Sequence, residues 1–387
     1  MKKAVLIGAG QFGRGVIGVS LYKSGYDVLF CDINKDIIND INERGGYTVH
    51  RMDKGESFDT VKCARAMLSS DSAVIDECAE ADIICTCVGL NALEKISGVV
   101  AESIKKRYHS GLKEKINVLA CENALGGSTI LKGFVKNTLN KEENEYLDEH
   151  IGFPDCAIDG IIPPFKDNLP ADVFAEEYHE WDALKSGFRG KIPNIEGLSV
   201  VEDLSKYLER KLFTLNGPNA VTGAMGYRKG YETVQQALED KEIFDVVWSM
   251  MEEASKILSL RHGFTDEEMR KYRSFIMERF KNPNVIDKCT RVVREPIRKL
   301  SQNDRIIAPL NYACTYKMKT PAYYKGIAEV MNYNNAEDFE SVKLQKLISK
   351  KGFLNALEEI TGIDPESKEA ACILYEHLAL ERKKENE

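Results

Sequence analysis

The sequence predicts an α/β N-terminal half, built as a doubly wound parallel sheet, followed by a mostly α-helical C-terminal half. Three observations predict it. In the first half, short apolar β-branched runs alternate with amphipathic stretches, the texture of βα units. A glycine-rich turn separates the first of these runs from the first helix. From Asp203 onward helical patterns dominate, with no second strand-helix alternation and no internal repeat.

Taken in order, residues 4–7, 28–31, 83–88 and 118–120 read as buried strands. Between them, residues 13–24, 35–44 and 92–107 carry helical periodicity. After Pro163 the texture changes: Pro163-Pro164, Pro170 and Pro193 punctuate a region whose structure the sequence leaves open. Helices are predicted over 204–214, 234–260, 266–280 and 336–350. The domain boundary is placed at 190, with domains 1–190 and 191–387; a chain of 387 residues and 43% hydrophobic content suits two cores rather than one. The terminal ERKKENE reads as a frayed helix end.

Bulk properties narrow the function. A formal net charge of −8 argues against nucleic acid or an anionic membrane as the main partner, since both select for a basic face. An anionic substrate must therefore meet a local basic pocket. The ten cysteines include no CxxC pair and read as small buried residues of a reducing compartment. The six histidines, at 50, 109, 150, 179, 262 and 377, show no HxH or HExxH spacing, so no metal is expected; His262 reads as the cationic end of a helix. The apolar run after Lys2-Lys3 is too short for a signal peptide, and no stretch approaches a membrane span of about 20 apolar residues, so a cytoplasmic location is expected. Oligomeric state stays open between monomer and dimer.

Directly after the first strand comes Gly8-Ala9-Gly10-Gln11-Phe12-Gly13, a GxGxxG that opens a helix, and Asp32 ends the next strand. Strand, glycine turn, helix, strand and acid stand in the order a Rossmann-type dinucleotide site demands. Gly8 permits the tight turn, Gly10 lets backbone approach a pyrophosphate, and Gly13 lets helix and strand pack closely, while the helix N-terminus faces the anion. Gln11 and Phe12 complete the loop. Asp32 can accept hydrogen bonds from the adenosine ribose. NAD is the expected cofactor; FAD shares the fingerprint, but nothing further along reads as a second flavin motif.

Two further groups stand out in the second half. Lys211 lies on an amphipathic helix beside Leu208, Leu212 and Leu215, where a lysine is ordinarily a solvated face residue; Asn216 reads as a helix-end residue, and Gly217-Pro218 is expected to stop the helix. Arg291, Arg294, Arg298, Lys299 and Arg305 cluster in an otherwise acidic chain, as a solvated basic face or as a phosphate clamp.

Resemblance decides between these readings. The segment from Lys211 to Asn219 resembles the K-x-x-x-x-N-x-x-H signature of the mannitol dehydrogenase family, the polyol-specific long-chain dehydrogenases. GAGQFGRGVIG at the N-terminus, ACEN at 120–123, IIPP at 161–164, RKLFTLN at 210–216 and REPIRKL at 294–300 resemble blocks of its polyol-phosphate branch, in the same order. The resemblance implies a metal-independent mechanism. Neutral Lys211 takes the alcohol proton as hydride leaves, which requires a lowered pKa, and Asn216 with Asn123 steadies the developing oxyanion. It also implies a phosphate clamp among Arg294, Arg298, Lys299 and Arg305, and a reaction between D-mannitol 1-phosphate and D-fructose 6-phosphate, with substrate between the two domains. Two departures stand against this pattern. Asn219 replaces the family histidine, and Asp159-Gly160 replaces an Asp-Arg pair. Because Asn219 cannot titrate near neutrality, three alternatives stay open: another polyol phosphate, a hexuronate, or a nucleotide-binding paralogue without catalysis.

Overall fold

The computed structural model describes residues 2–51, 57–122, 126–160, 169–176, 180–283 and 286–386. The chain divides into two compact units, Met1–Tyr207 and Leu208–Glu387.

Six parallel strands form the main sheet of the N-terminal unit, numbered here in chain order: β1 Lys2–Ile7, β2 Tyr26–Asp32, β3 Arg65–Leu68, β4 Ile83–Thr86, β5 Ile116–Ala120 and β6 Ile151–Gly152. Their spatial order is β3-β2-β1-β4-β5-β6, which reverses direction at β1. The continuous apolar runs follow from burial of both faces. Ala4, Leu6, Val28 and Phe30 face one core with Val16, Ile17 and Ile41. Val5, Ile7, Leu29 and Cys31 face the other with Val74, Val100 and Leu131. Helix Lys35–Arg44 has the expected bounds: the Asn34 side chain caps it by accepting from the N–H groups of Asp36 and Ile37, and left-handed Gly45 ends it.

The sequence reading misses β3, whose Arg-Ala-Met-Leu begins with a charge; Arg65 is held there by Glu77 at 2.9 Å. It also misses two three-stranded sheets. One orders Val173–Ala175, Gly46–Arg51 and Phe58–Lys62; the other orders Leu198–Val201, Glu180–Leu184 and Cys156–Asp159. Val173–Ala175, Leu198–Val201 and Cys156–Asp159 carry too few residues for a period of two to stand out, whereas Gly46–Arg51 does alternate, with Tyr47, Val49 and Arg51 buried and Thr48 and His50 less so, and the reading overlooks it.

In the C-terminal unit, helices Gly217–Arg228, Lys241–His262 and Pro321–Met331 bury Val221, Met225, Met250, Ala254, Ile257 and Ile327 in one core. Two expectations are corrected here. The run 234–260 is two helices, Val234–Glu239 and Lys241–His262, because Asp240 adopts an extended backbone and its carboxylate accepts from Glu242 N at 2.8 Å and Ile243 N at 3.3 Å. That local cap competes successfully with helix continuation. Gly217-Pro218 does not stop a helix: Ser205–Lys211 passes through a π-helical segment, Leu212–Asn216, directly into Gly217–Arg228. The Gly217 N–H bonds back to the Leu212 carbonyl, and this wider turn carries the chain into a proline that lacks an N–H of its own.

The cysteines need a correction too. Cys31, Cys78, Cys85, Cys121, Cys156 and Cys289 are buried, but Cys63 and Cys314 are exposed. Among the described residues no helix is long and apolar enough to cross a membrane.

Candidate active site

The glycine loop sits at the C-terminal edge of the sheet, where the strand order reverses. Gly8 has φ +99°, and a Cβ there would come within 2.5 Å of the Cys87 carbonyl oxygen. At Gly13 a Cβ would collide with the Gly8 carbonyl oxygen. Nothing lies within 4 Å of where a Gly10 Cβ would stand. Two glycines are therefore demanded by the protein's own backbone, whereas the third leaves open space for an incoming group. Gln11 and Phe12 are partly buried, Phe12 against the core of its unit. Asp32 ends β2, partly exposed, with Oδ1 accepting from Asn34 N at 2.9 Å. These residues fit the diphosphate and ribose of a dinucleotide.

Beside the loop lies a residue that the sequence reading passed over. The buried Glu122 carboxylate accepts from Thr86 Oγ1 at 2.9 Å, Val88 N at 3.0 Å and Gly89 N at 2.7 Å. It fixes the turn after β4. Asn123 and the IIPP block at 161–164 lie outside the described residues.

The π segment of the C-terminal unit gathers the other candidates. Lys211 is partly buried at its start, Asn216 partly buried at its end, and Asn219 lies one turn on, its Oδ1 buried with no hydrogen-bond partner among the described residues. Thr214, fully buried between them, likewise leaves Oγ1 unpartnered. The turn that carries Lys211 is tied down on both sides. Glu209 accepts from Arg261 Nε at 2.5 Å and Nη2 at 3.0 Å and pairs with His262 Nε2 at 2.6 Å, while Arg261 lies 3.8 Å from the Tyr312 ring centre. Arg210 lies 4.4 Å from the Tyr272 ring centre. His262 ends its helix as expected, but it is also a partner of Glu209, a pairing across 53 residues that local sequence cannot reveal.

The basic cluster separates. Arg291, Arg294 and Arg298 line an open pocket of about 690 Å³ together with Glu295, Glu337, Asp338 and Glu340. Arg291 is paired with Asp287, and Arg298 with Glu295 at 2.8 Å and Asp304 at 3.5 Å. Lys299 is buried, and its Nζ donates to the carbonyls of Val292 and Arg294; burial, with Arg305 and Arg298 nearby, pushes its pKa down to about 7. It shapes the bend at Glu295, whose φ of +62° is left-handed. Arg305 lies apart from the pocket: its Nε donates to Asp304 at 2.7 Å, and its carbonyl oxygen stands 2.6 Å from where a Gly217 Cβ would be, against the helix that bears Asn216 and Asn219. Among the described residues no group of His, Cys, Asp and Glu is arranged to hold a metal ion.

Comparison with known proteins places this architecture. The family model for the mannitol dehydrogenase Rossmann domain matches residues 2–197, and that for the mannitol dehydrogenase C-terminal domain matches 203–367. A mannitol-1-phosphate 5-dehydrogenase of Bacillus licheniformis is 37% identical over 363 residues, covering 93% of this chain and 96% of that protein. Among solved structures, the Pseudomonas fluorescens mannitol 2-dehydrogenase in complex with NAD and D-mannitol aligns with a TM-score of 0.73 at 16% identity, over 98% of this chain and 92% of that one. A substrate-free D-sorbitol dehydrogenase aligns at 0.82 and 17% identity, over 98% and 93%. With both of its domains matched in order, the chain belongs to the mannitol dehydrogenase family.

Proposed function

We propose that this protein is a cytoplasmic NAD-dependent oxidoreductase that interconverts D-mannitol 1-phosphate and D-fructose 6-phosphate. The observation that carries the reading is the 37% identity to a mannitol-1-phosphate 5-dehydrogenase, sustained over 93% of the chain. Gly8, Gly10, Gln11, Phe12 and Gly13 hold the dinucleotide through backbone N–H groups, and Asp32 takes the ribose hydroxyls. Bound NAD supplies the hydride acceptor, or NADH the donor.

The chain's own contribution is to move one proton and hold one oxygen. Lys211, neutral, removes the alcohol proton in the oxidative direction and returns it in the reverse. Asn216 donates to the same oxygen as charge develops on it, with Asn123 as its partner in that task; amide donors suit this place because they bring no competing proton. Asn219 stands where the family signature has histidine, and its unpartnered Oδ1 can accept from a substrate hydroxyl. The phosphate is met by arginine, and among the four cationic candidates we put Arg305 first, because its backbone carbonyl lies against Gly217 at the start of the helix that carries Asn219.

The test is a turnover panel of polyols, polyol phosphates and uronates with NAD(H) and NADP(H). Fructose 6-phosphate with NADH should be reduced far better than fructose, and NAD should exceed NADP by about tenfold or more, with Asp32→Ala narrowing that gap. Equal activity on fructose and its phosphate would sink the phosphate assignment; activity on a uronate alone would move the substrate to the hexuronate branch. An enzyme that binds NADH yet turns over nothing would be a sensor.

A further inference from the structure

Arg14 immediately follows the third glycine of the loop and is 3% exposed. One Nη donates to the Ala9 carbonyl inside the glycine loop, and the other donates to the Pro170 carbonyl at 3.3 Å. Its own N–H donates to the Gly10 carbonyl at 3.0 Å, and its carbonyl accepts from Tyr47 Oη at 2.8 Å. Nε is buried and has no partner among the described residues.

Among the described residues, every direct partner of this guanidinium is a neutral carbonyl. Three carboxylates, Asp32, Asp172 and Asp40, act on it through space. Two of them are already engaged: Asp172 binds Arg44 at 2.7 Å and Thr48 N at 2.8 Å, and Asp40 binds Arg44 at 3.1 Å and Ala171 N at 2.8 Å. Burying a cation without a directly bonded counter-ion is costly, and burial pulls the Arg14 pKa down, yet a guanidinium stays protonated. A packed core would be served as well by methionine. The site that justifies a bare charge is the loop itself, whose ligand carries a diphosphate.

We propose that Arg14 is a positioning residue for the dinucleotide, holding the Ala9 carbonyl inward so that the loop N–H groups stay turned to the diphosphate and setting under that loop a positive charge that no carboxylate among the described residues bonds directly. Through Pro170 the same side chain couples the loop to residues 169–176, which the strand Val173–Ala175 joins to Gly46–Arg51. Cofactor binding and the order of that segment are thereby linked.

The experiment measures binding by fluorescence titration of NADH, and of ADP-ribose in competition, on the full-length protein and on Arg14→Met and Arg14→Lys. Arg14→Met should weaken both ligands by about 10- to 100-fold, the range for hydrogen bonds that involve a charged group. Arg14→Lys, which keeps the charge but not the two-carbonyl grip, should lose less. Steady-state rates should show the NAD KM rising with kcat nearly unchanged, a split that general destabilisation does not produce. In hydrogen exchange, ADP-ribose should slow the amides of 171–176 in the wild type and less so in Arg14→Lys. Wild-type affinity in a folded Arg14→Met overturns the proposal; if that variant does not fold, wild-type affinity in Arg14→Lys overturns it. A wild-type protein that binds no NADH overturns the dinucleotide site itself.

Discussion

Two stretches of π-helix, Gly13–Gly18 in the N-terminal unit and Leu212–Asn216 in the C-terminal unit, mark the candidate sites of their units, and they work in opposite ways. The first closes the glycine loop, whose contact with the ligand is made by backbone: Gly8 and Gly13 leave no room for a Cβ and Gly10 faces open space, with Arg14 behind them. The second acts through side chains, Lys211, Asn216 and Asn219, on a helix whose wide turn carries it past Pro218. A backbone site dictates residue type and so writes itself into the sequence. A side-chain site uses residues that any exposed helix also carries.

The largest expected effect falls on the side-chain site. Lys211→Ala should cut kcat by about 10² to 10⁴, the range of general acid-base catalysis, while NADH binding and thermal stability persist. Full turnover by this variant on every accepted substrate would falsify the lysine mechanism. The backbone site should show the converse. Gly13→Ala places a methyl group against the Gly8 carbonyl oxygen, and overpacking of about 1 to 3 kcal/mol should appear as roughly 10- to 100-fold weaker NADH binding. If Gly13→Ala bound NADH normally and lost kcat instead, the contrast between the two π segments would collapse.

How much was legible follows the same line. The six-stranded sheet could be read through β1, β2, β4 and β5, because strands buried on both faces are continuously apolar. β3 could not, since Arg65 opens it and an ion pair with Glu77 rather than burial holds that end. In the helical unit, Asp240 and Pro218 show both errors that local rules make: an aspartate broke a helix that periodicity joined, and a proline failed to break one that propensity would end. The Glu209–His262 pair and the Arg14 contact to Pro170 join residues far apart in the chain, so no window of sequence contains them.

The phosphate clamp is expected to show an effect of intermediate size; the sequence places it among Arg294, Arg298, Lys299 and Arg305 with Arg298 first, and the contacts of these side chains favour another order. Among the described residues, Arg298 is shared by Glu295 and Asp304 in a pocket of mixed charge, Arg305 is paired with Asp304 alone, and Lys299 is spent on two carbonyls. Arg305→Ala should therefore raise the KM for fructose 6-phosphate by the equivalent of about 1.5 to 3 kcal/mol, with Arg298→Ala costing less. The two KM values, measured side by side, decide it, and a larger loss at Arg298 would return the clamp to the open pocket.

The smallest expected effect concerns Asn219, where stability and activity should move in opposite directions. A buried carbonyl oxygen without a hydrogen-bond donor costs about 1 to 3 kcal/mol, and a protein carries such a cost where a ligand repays it. Asn219→Leu, of similar volume, removes that oxygen. The apo protein should be as stable as the wild type or more so by about 1 kcal/mol, read as a higher Tm. Catalytic efficiency on the best substrate should fall by about tenfold, because the hydroxyl that Oδ1 would receive loses its guide. Asn219→His then tests the departure from the family signature. An imidazole restores a group able to titrate near neutrality beside Lys211's helix turn, so a gain on mannitol 1-phosphate would mean the asparagine serves another substrate, and a loss would mean the pocket is built around the amide. If Asn219→Leu instead lowers Tm and leaves turnover intact, the residue belongs to the packing of the helix, and substrate selection must rest on the arginines.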